Sequence, residues 1–195
     1  MKSVEIIGFK RANLGKSDAK ALRAEAMVPA VLYGGDEQVH LKIPAILFRE
    51  LVYTKDVHIV KLNVEGKIYD CILQEVQFHP VSEAIMHADF LQLFPDRPVK
   101  MNIPVRFTGN AIGIQKGGKF VSKVQKLKIM ALPKNLPDYV EVDISNLDLG
   151  KSVRVKDVKS DLFKVLNPAE LPLASILIPR SLKSQQQQES DAKKK

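Results

Sequence analysis

Two stretches, HIVKLNV (58–64) and KIYDCILQEVQF (67–78), stand either side of Glu65-Gly66 and alternate apolar with polar residues. Successive side chains of an extended strand point to opposite faces, so this period of two suits a half-buried strand. The pair predicts a β-hairpin. The same alternation returns in VKMNIPVRF, which puts Val99, Met101, Ile103, Val105 and Phe107 on one face and Lys100, Asn102, Pro104 and Arg106 on the other. Pro104 donates no backbone hydrogen bond, which predicts an edge position or a bulge there. Further strands are predicted at VEIIGFKR (4–11), PAVLY (29–33) and MHADFLQL (86–93), then at about 124–132, 139–144 and 172–179. Turn-rich GNAIGIQKGG, LPKNLPD and SNLDLGKS separate the later ones. A chain patterned in this way is mainly β with few helices.

Helical patterning is confined to the first half. Gly15-Lys16-Ser17 offers a turn and a Ser17 N-cap, and Asp18 suits the positive end of a helix predicted over 18–27. On it Ala19, Leu22 and Ala26 would face inward, while Lys16, Lys20 and Arg23 recur on another face. Pro29 forbids continuation. Pro44 is suited to open a second helix through IPAILFRELVY, where its missing N–H is no loss.

A length of 195 residues exceeds the usual single-domain size of ~100–150 and leaves room for two modest cores. The predicted organisation is a first domain over 1–94, a small antiparallel β domain over 95–180 and a polar, disordered basic tail, 181–195. No apolar run approaches the ~18 residues that a membrane helix needs. The N-terminus lacks the apolar core of a secretory signal, and the lone Cys71 fits a reducing cytoplasm. No membrane partner is expected.

The net charge of +8 is unevenly placed: residues 1–94 carry 11 Lys+Arg against 12 Asp+Glu, hence −1, and residues 95–195 carry 19 against 10, hence +9. From Arg97 to Pro137 there are nine basic residues and no acidic one. Such a block favours a polyanionic partner; its other reading is a solvated lysine-rich face. In the first half Lys10, Arg11, Lys16, Lys20 and Arg23 still cluster, against Asp18 alone.

Catalytic chemistry finds no foothold. His79, His87 and Asp89 are metal donors in kind, but too few, and neither an HExxH pattern nor a second His/Cys pair accompanies them. Glycines 109, 113, 117 and 118 form no phosphate-binding motif, and no serine sits in a GxSxG elbow. The expectation is a non-enzyme without metal, cofactor or small-molecule substrate.

The landmarks GK, LRA, PAVLYGG, QEVQFHP and HADF follow one another in the first half. VKMNIPVRFTGNAIGIQKGGKF and KLKIMALPKNLPDYVEVDISNLDLGKSV follow in the second. Each is weak alone, but in this order and spacing they resemble the bacterial ribosomal large-subunit protein twenty-five family, in its long form, the general stress protein CTC type. The resemblance covers nearly the whole chain apart from the tail. It implies an N-terminal β-barrel similar to the anticodon-binding domain of glutaminyl-tRNA synthetase, docked on the loop E region of 5S rRNA in the central protuberance. A small β domain would follow, with 23S rRNA and neighbouring large-subunit proteins as further partners.

Carried over by position, Lys16, Lys20 and Arg23 would meet phosphates, Arg11 would reach in from the preceding strand, and Tyr33 would lie against ribose or phosphate. Gly34 and Gly35 would let the backbone come close. Gln74 and His87 would hydrogen-bond base edges or 2′-hydroxyls, and Asp89 would accept from an exocyclic amine. Lys116, Lys119, Lys123, Lys126 and Lys128 would supply secondary RNA contacts. Two positions depart from the family's habit: Ala21 and Phe78 stand where basic residues are common. The competing readings are a stress-related protein-interaction module and a tRNA-binding appendage, both acting off the ribosome; the absence of a catalytic half disfavours the second.

Overall fold

The computed structural model describes residues 2–158, 160 and 162–179, so the expected tail lies outside the described residues. The first strand, β1 (Lys2–Lys10), leads into α1 (Lys16–Ala24), followed by β2 (Met27–Tyr33) and β3 (Val39–Pro44). A 3-10 turn (Ala45–Phe48) runs into the single turn α2 (Arg49–Val52), and β4 (His58–Val64), β5 (Lys67–Phe78) and β6 (Ile85–Gln92) complete this part. The six strands close into a barrel in the order β1-β3-β2-β6-β5-β4. The hairpin read from alternation is β4–β5, with Val60 opposite Cys71 and Val64 opposite Lys67. Glu65 (φ 50) and Gly66 (φ 89) turn it, which is the left-handed pair that a two-residue hairpin loop requires.

Several local expectations are corrected. The helix runs over Lys16–Ala24; Gly15 stands at its N-cap without a side-chain cap, so Ser17 does not fill that role. Ala26, with φ 56, lies in the reversal that ends the helix and is exposed, which leaves buried Leu22 and half-buried Ala19 as the inward residues. Pro29 sits inside β2, where the β6 ladder begins only at Ala30, so its missing N–H breaks no β2–β6 pairing. VHLKIP forms β3, burying Leu41 and Ile43, and Pro44 both ends that strand and stands at the N-cap of the Ala45–Phe48 turn, one position ahead of the N1 place expected for it.

The barrel interior is filled by Ile6, Val28, Leu32, Leu41, Ile43, Phe48, Val60, Leu62 and Phe90, among others. Phe48 enters from the 3-10 turn and meets Phe90 with ring centroids 6.1 Å apart, tilted by 37°. Truncating a buried phenylalanine of this kind costs about 3–5 kcal/mol. The turn is thus part of the core.

The second half contains β7 (Val99–Thr108), α3 (Ile112–Gln115), β8 (Lys119–Ser122), β9 (Lys126–Ala131), β10 (Val140–Asp143), β11 (Ser152–Arg154), β12 (Lys164–Val165) and β13 (Pro172–Leu177). They form a four-stranded sheet, β10-β7-β9-β12, and a three-stranded sheet, β11-β13-β8. The β10–β7 ladder is parallel, a pairing that alternation cannot specify. Ala111, Ile144, Leu147 and Ile176 form a buried cluster, against which Phe107 and Phe120 pack edge to face at 5.3 Å. The glycines of GIQKGG serve packing: a Cβ on Gly113 would lie 2.7 Å from the Leu149 nitrogen, and one on Gly118 would collide with Ile176. Two compact units result, one of residues up to Met101 with Ala131–Asp138, the other of Asn102–Met130 and the residues from Tyr139 onward.

Candidate nucleic-acid interface

The outer surface of β2, β6 and β5 gathers Tyr33, Gln74, His87 and Asp89, half of the eight residues singled out in the first half. On β6, Ala88 and Phe90 are buried, so His87, Asp89 and Leu91 point outward. Asp89 lies between Val31 of β2 and Glu75 of β5, and Gln77 lies opposite His87. A register shift between Leu73 and Glu75 makes this possible. It leaves Gln74 as the exposed extra residue and lets Glu75 and Gln77 face outward although Leu73 and Val76 both pair with buried residues. Glu75 and Gln77 were not singled out from the sequence; their signal is the break in alternation across Leu73-Gln74-Glu75.

His87 Nδ1 and Asp89 Oδ1 are 2.7 Å apart, with side chains 30% and 29% exposed. The carboxylate fixes the imidazole by one nitrogen and leaves Nε2 for an outside partner. Burial first, then the Asp89 and Glu75 carboxylates, push the Tyr33 hydroxyl above its ordinary value of 10.0. Tyr33 therefore stays protonated at neutral pH and offers a donor beside an acceptor, Asp89. Gly34 (φ 94) and Gly35 close β2, and a Cβ on either would strike Leu91 or Gln92 of β6. Their first service is to seat the end of β2 against β6.

Helix α1 supplies the cations, and the structure divides them. Lys16 and Lys20 are exposed. Arg23 donates its Nε–H to the Met86 carbonyl at 3.0 Å, which ties the helix to the start of β6 and leaves the terminal nitrogens of the guanidinium outside that bond. Arg11 is turned inward: its side chain is only 9% exposed, its NH2 lies 2.7 Å from Asp18 Oδ2, and its Nε is buried without a partner. Its backbone N–H donates to His40 at 3.0 Å. Arg11 is thus a strut between the end of β1 and the first turn of α1, where the expectation had it reach outward.

No group of three or more His, Cys, Asp or Glu is placed to hold a metal among the described residues. The Cys71 thiol is buried and pushed up to about 12 by desolvation, which removes it as a nucleophile at neutral pH. In the second unit Lys116 is bound to Asp148 at 2.9 Å, while Lys119, Lys123, Lys126 and Lys128 are exposed.

A closed barrel with exposed cations on α1 and fixed hydrogen-bonding groups on its outer strands has the make-up of a binding module. The chain belongs to the Ribosomal L25p family, which it matches over residues 6–90; residues 98–180 match the family described as Ribosomal protein TL5, C-terminal domain. It is 52% identical over 195 residues to the large ribosomal subunit protein bL25 of Cytophaga hutchinsonii, covering all of both chains. It is 49% identical over 184 residues to the protein of that name from Amoebophilus asiaticus, covering 94% of each. With its namesake from Porphyromonas gingivalis it shares 39% over 183 residues, 93% of this chain and 95% of the other. These relatives are ribosomal proteins and not enzymes.

Proposed function

We propose that the chain is a structural component of the large ribosomal subunit, on cytoplasmic ribosomes, and that its barrel holds 5S rRNA at the loop E region. The outer face of β2, β6 and β5 would lie in the RNA minor groove. Lys16, Lys20 and the free end of Arg23 meet phosphates, and Tyr33 donates to ribose or phosphate. Gln74 and His87 Nε2 bond base edges or 2′-hydroxyls, and Asp89 accepts from an exocyclic amine. Arg11 acts through α1, which it positions. The residues up to 94 would form the RNA-binding domain, and 23S rRNA and neighbouring proteins would be the partners of the second half.

The observation that carries this reading is the His87–Asp89 pair, held at 2.7 Å on the face that also bears Tyr33. An anion turned toward RNA repels phosphate and, besides orienting His87, can bond only donors such as a base amine or a 2′-hydroxyl, so its presence beside cations favours base reading. Asp89→Ala is therefore expected to lose roughly 1–3 kcal/mol on loop E but little on a scrambled internal loop, while Arg23→Ala weakens both alike. Filter-binding titrations of the full chain against the two RNAs decide it. An Asp89→Ala protein that keeps its full preference for loop E would remove base reading from this face.

A further inference from the structure

The outer side of β1, β4 and β5, which lies across the barrel from β2 and β6, carries a cleft of about 350 Å³. On β4, Val60 and Leu62 are buried, so Ile59 and Lys61 point outward; on β5, Asp70 does so beside buried Cys71. These three form the floor, and Lys61 stands directly opposite Asp70 in the β4–β5 ladder. Leu93, Phe94 and Pro95 form one wall. Pro133 and Lys134, of the 3-10 turn Pro133–Asn135, form the other, and all of these residues belong to the first unit. The walls are held in place. The Leu93 N–H donates to the Asp70 carbonyl at 2.8 Å, the Arg97 guanidinium sits 4.9 Å from the centre of the Phe94 ring, and the Asn135 N–H closes its turn on the Leu132 carbonyl at 2.9 Å. Pro95 and Pro133 add apolar surface with a locked φ and no donor.

The charged groups at this cleft have spare capacity. Lys61, Asp70 and Lys134 are exposed, and none of them makes an ion pair or a side-chain hydrogen bond among the described residues, although Lys61 and Asp70 are cross-strand neighbours. Facing residues of a ladder have Cβ atoms about 5 Å apart, so an ammonium and a carboxylate are offered side by side next to an apolar slot. We propose that the cleft is a binding site for an apolar α-amino acid. Its carboxylate meets Lys61 and Lys134, its ammonium meets Asp70, and its side chain lies against Phe94 and the two prolines. The two charges of such a zwitterion hang from one carbon, which matches charges offered by adjacent strands. The volume stands at the lower end of the ~300–1,000 Å³ of small-ligand sites, which suits a single aromatic amino acid. A polyanion such as RNA is disfavoured by Asp70 in the floor and by Glu5, which is paired with Lys61 in the β1–β4 ladder. A peptide segment would bring neutral amides to the two charges and leave Asp70 without a cation. The site does not depend on what the face of β2, β6 and β5 binds.

The test is an NMR titration of the isotopically labelled full chain with L-phenylalanine, read from the amides of Ile59, Lys61, Asp70, Leu93 and Phe94. Saturable shifts with a millimolar dissociation constant are expected for so small a ligand. Hydrocinnamate, which lacks the ammonium, and phenethylamine, which lacks the carboxylate, should each bind roughly fivefold more weakly, the upper worth of an ion pair that water reaches. Asp70→Asn should abolish the preference for L-phenylalanine over hydrocinnamate. Lys61→Gln with Lys134→Gln should abolish the preference for L-phenylalanine over phenethylamine. The ligand series decides the matter in the unaltered chain even where a variant fails to fold. Absence of saturable shifts at these amides overturns the proposal. So does equal binding of L-phenylalanine and hydrocinnamate, which would reduce the site to an apolar slot. N-acetyl-L-phenylalaninamide binding as tightly as the free amino acid overturns it in favour of a peptide segment of a protein partner.

Discussion

Removing Asp18 should weaken RNA binding, although it removes a negative charge from a basic helix. Asp18 lies in the first turn of α1, is one-third exposed, and holds the Arg11 guanidinium at 2.7 Å; Arg11 itself is 9% exposed and has a buried Nε without a partner. In Asp18→Ala that guanidinium is left shielded and unpaired. A charge-assisted hydrogen bond is worth about 1.5–3 kcal/mol, and a carboxylate in a helix's first turn contributes about 0.3–1 more. The expected loss is about 2–3 kcal/mol of barrel stability, below the range for fully buried pairs because Asp18 is partly hydrated. Arg11→Met keeps the apolar stem and leaves only Asp18 behind, where water reaches it, so about 1 kcal/mol is expected. Measured in the Arg11→Met background, the Asp18→Ala penalty should shrink to about 1 kcal/mol or less, since no buried cation remains to be orphaned. Native-state hydrogen exchange of barrel amides measures this without interference from the second unit. Titration against a loop E hairpin supplies the functional readout: both single variants bind more weakly through misplacement of Lys16, Lys20 and Arg23, with the salt slope within a few tenths of wild type. If Arg11 were a phosphate contact, Asp18→Ala would release it and tighten binding, and Arg11→Met would flatten the slope by about 0.9. Tighter binding by Asp18→Ala refutes the strut.

Cys71, buried and pushed up to about 12, should resist alkylation by iodoacetamide at pH 8 in the folded chain and react only in denaturant, as mass spectrometry will register. Gly118→Ala places a methyl group against Ile176 and the Gly113 carbonyl, which should cost the second unit about 1–3 kcal/mol in urea unfolding; a change below a few tenths would mean the segment yields freely. The Asp148 carboxyl is held below its ordinary 3.8, first by the hydrogen bond from Lys116 and then by that from the Leu149 N–H. A depressed folded value stabilises above the unfolded one, and this contribution disappears as pH falls through the folded value. Asp148→Asn should therefore lower the second unit's melting temperature at pH 7, with the difference from wild type shrinking as the pH is taken down through the folded carboxyl's depressed titration; a difference that stays constant across that range would place the effect elsewhere.

Legibility followed the range of the interactions. The β4–β5 hairpin could be read because alternation and a left-handed turn pair are local. Strand β3 has the same alternation in Val39, Leu41 and Ile43, but Pro44 both ends it and caps the turn that follows, so reading the proline as a helix start hid the strand before it. The short strands β11 and β12 are too brief to show a period. Barrel closure rests on the parallel β1–β4 and β2–β6 ladders, which join segments far apart in sequence. In the site, His87 and Asp89 could be marked through family resemblance, and Lys16, Lys20 and Arg23 through helical spacing as well. The inward turn of Arg11 depends on a partner across a loop and the outward turn of Glu75 on a bulge. Neither leaves a local pattern.

The closing ladder also governs the order in which the chain can fold during synthesis. Lys2 pairs with His58 and Gly8 with Val64, whereas β3 holds only Phe9 and Lys10 of the first strand. The strand made first is thus secured almost last: it leaves the ribosome with both edges open and waits until β4 has been synthesised. Loop closure on this scale must precede the ladder that rewards it. Strand β2 can meanwhile pair with β3 alone, since β6 and the outer face it completes arrive only after the β4–β5 hairpin. A nascent copy of this chain therefore has no finished outer face on β2, β6 and β5 until Gln92 has emerged, so a partially synthesised protein lacks the surface proposed to hold RNA.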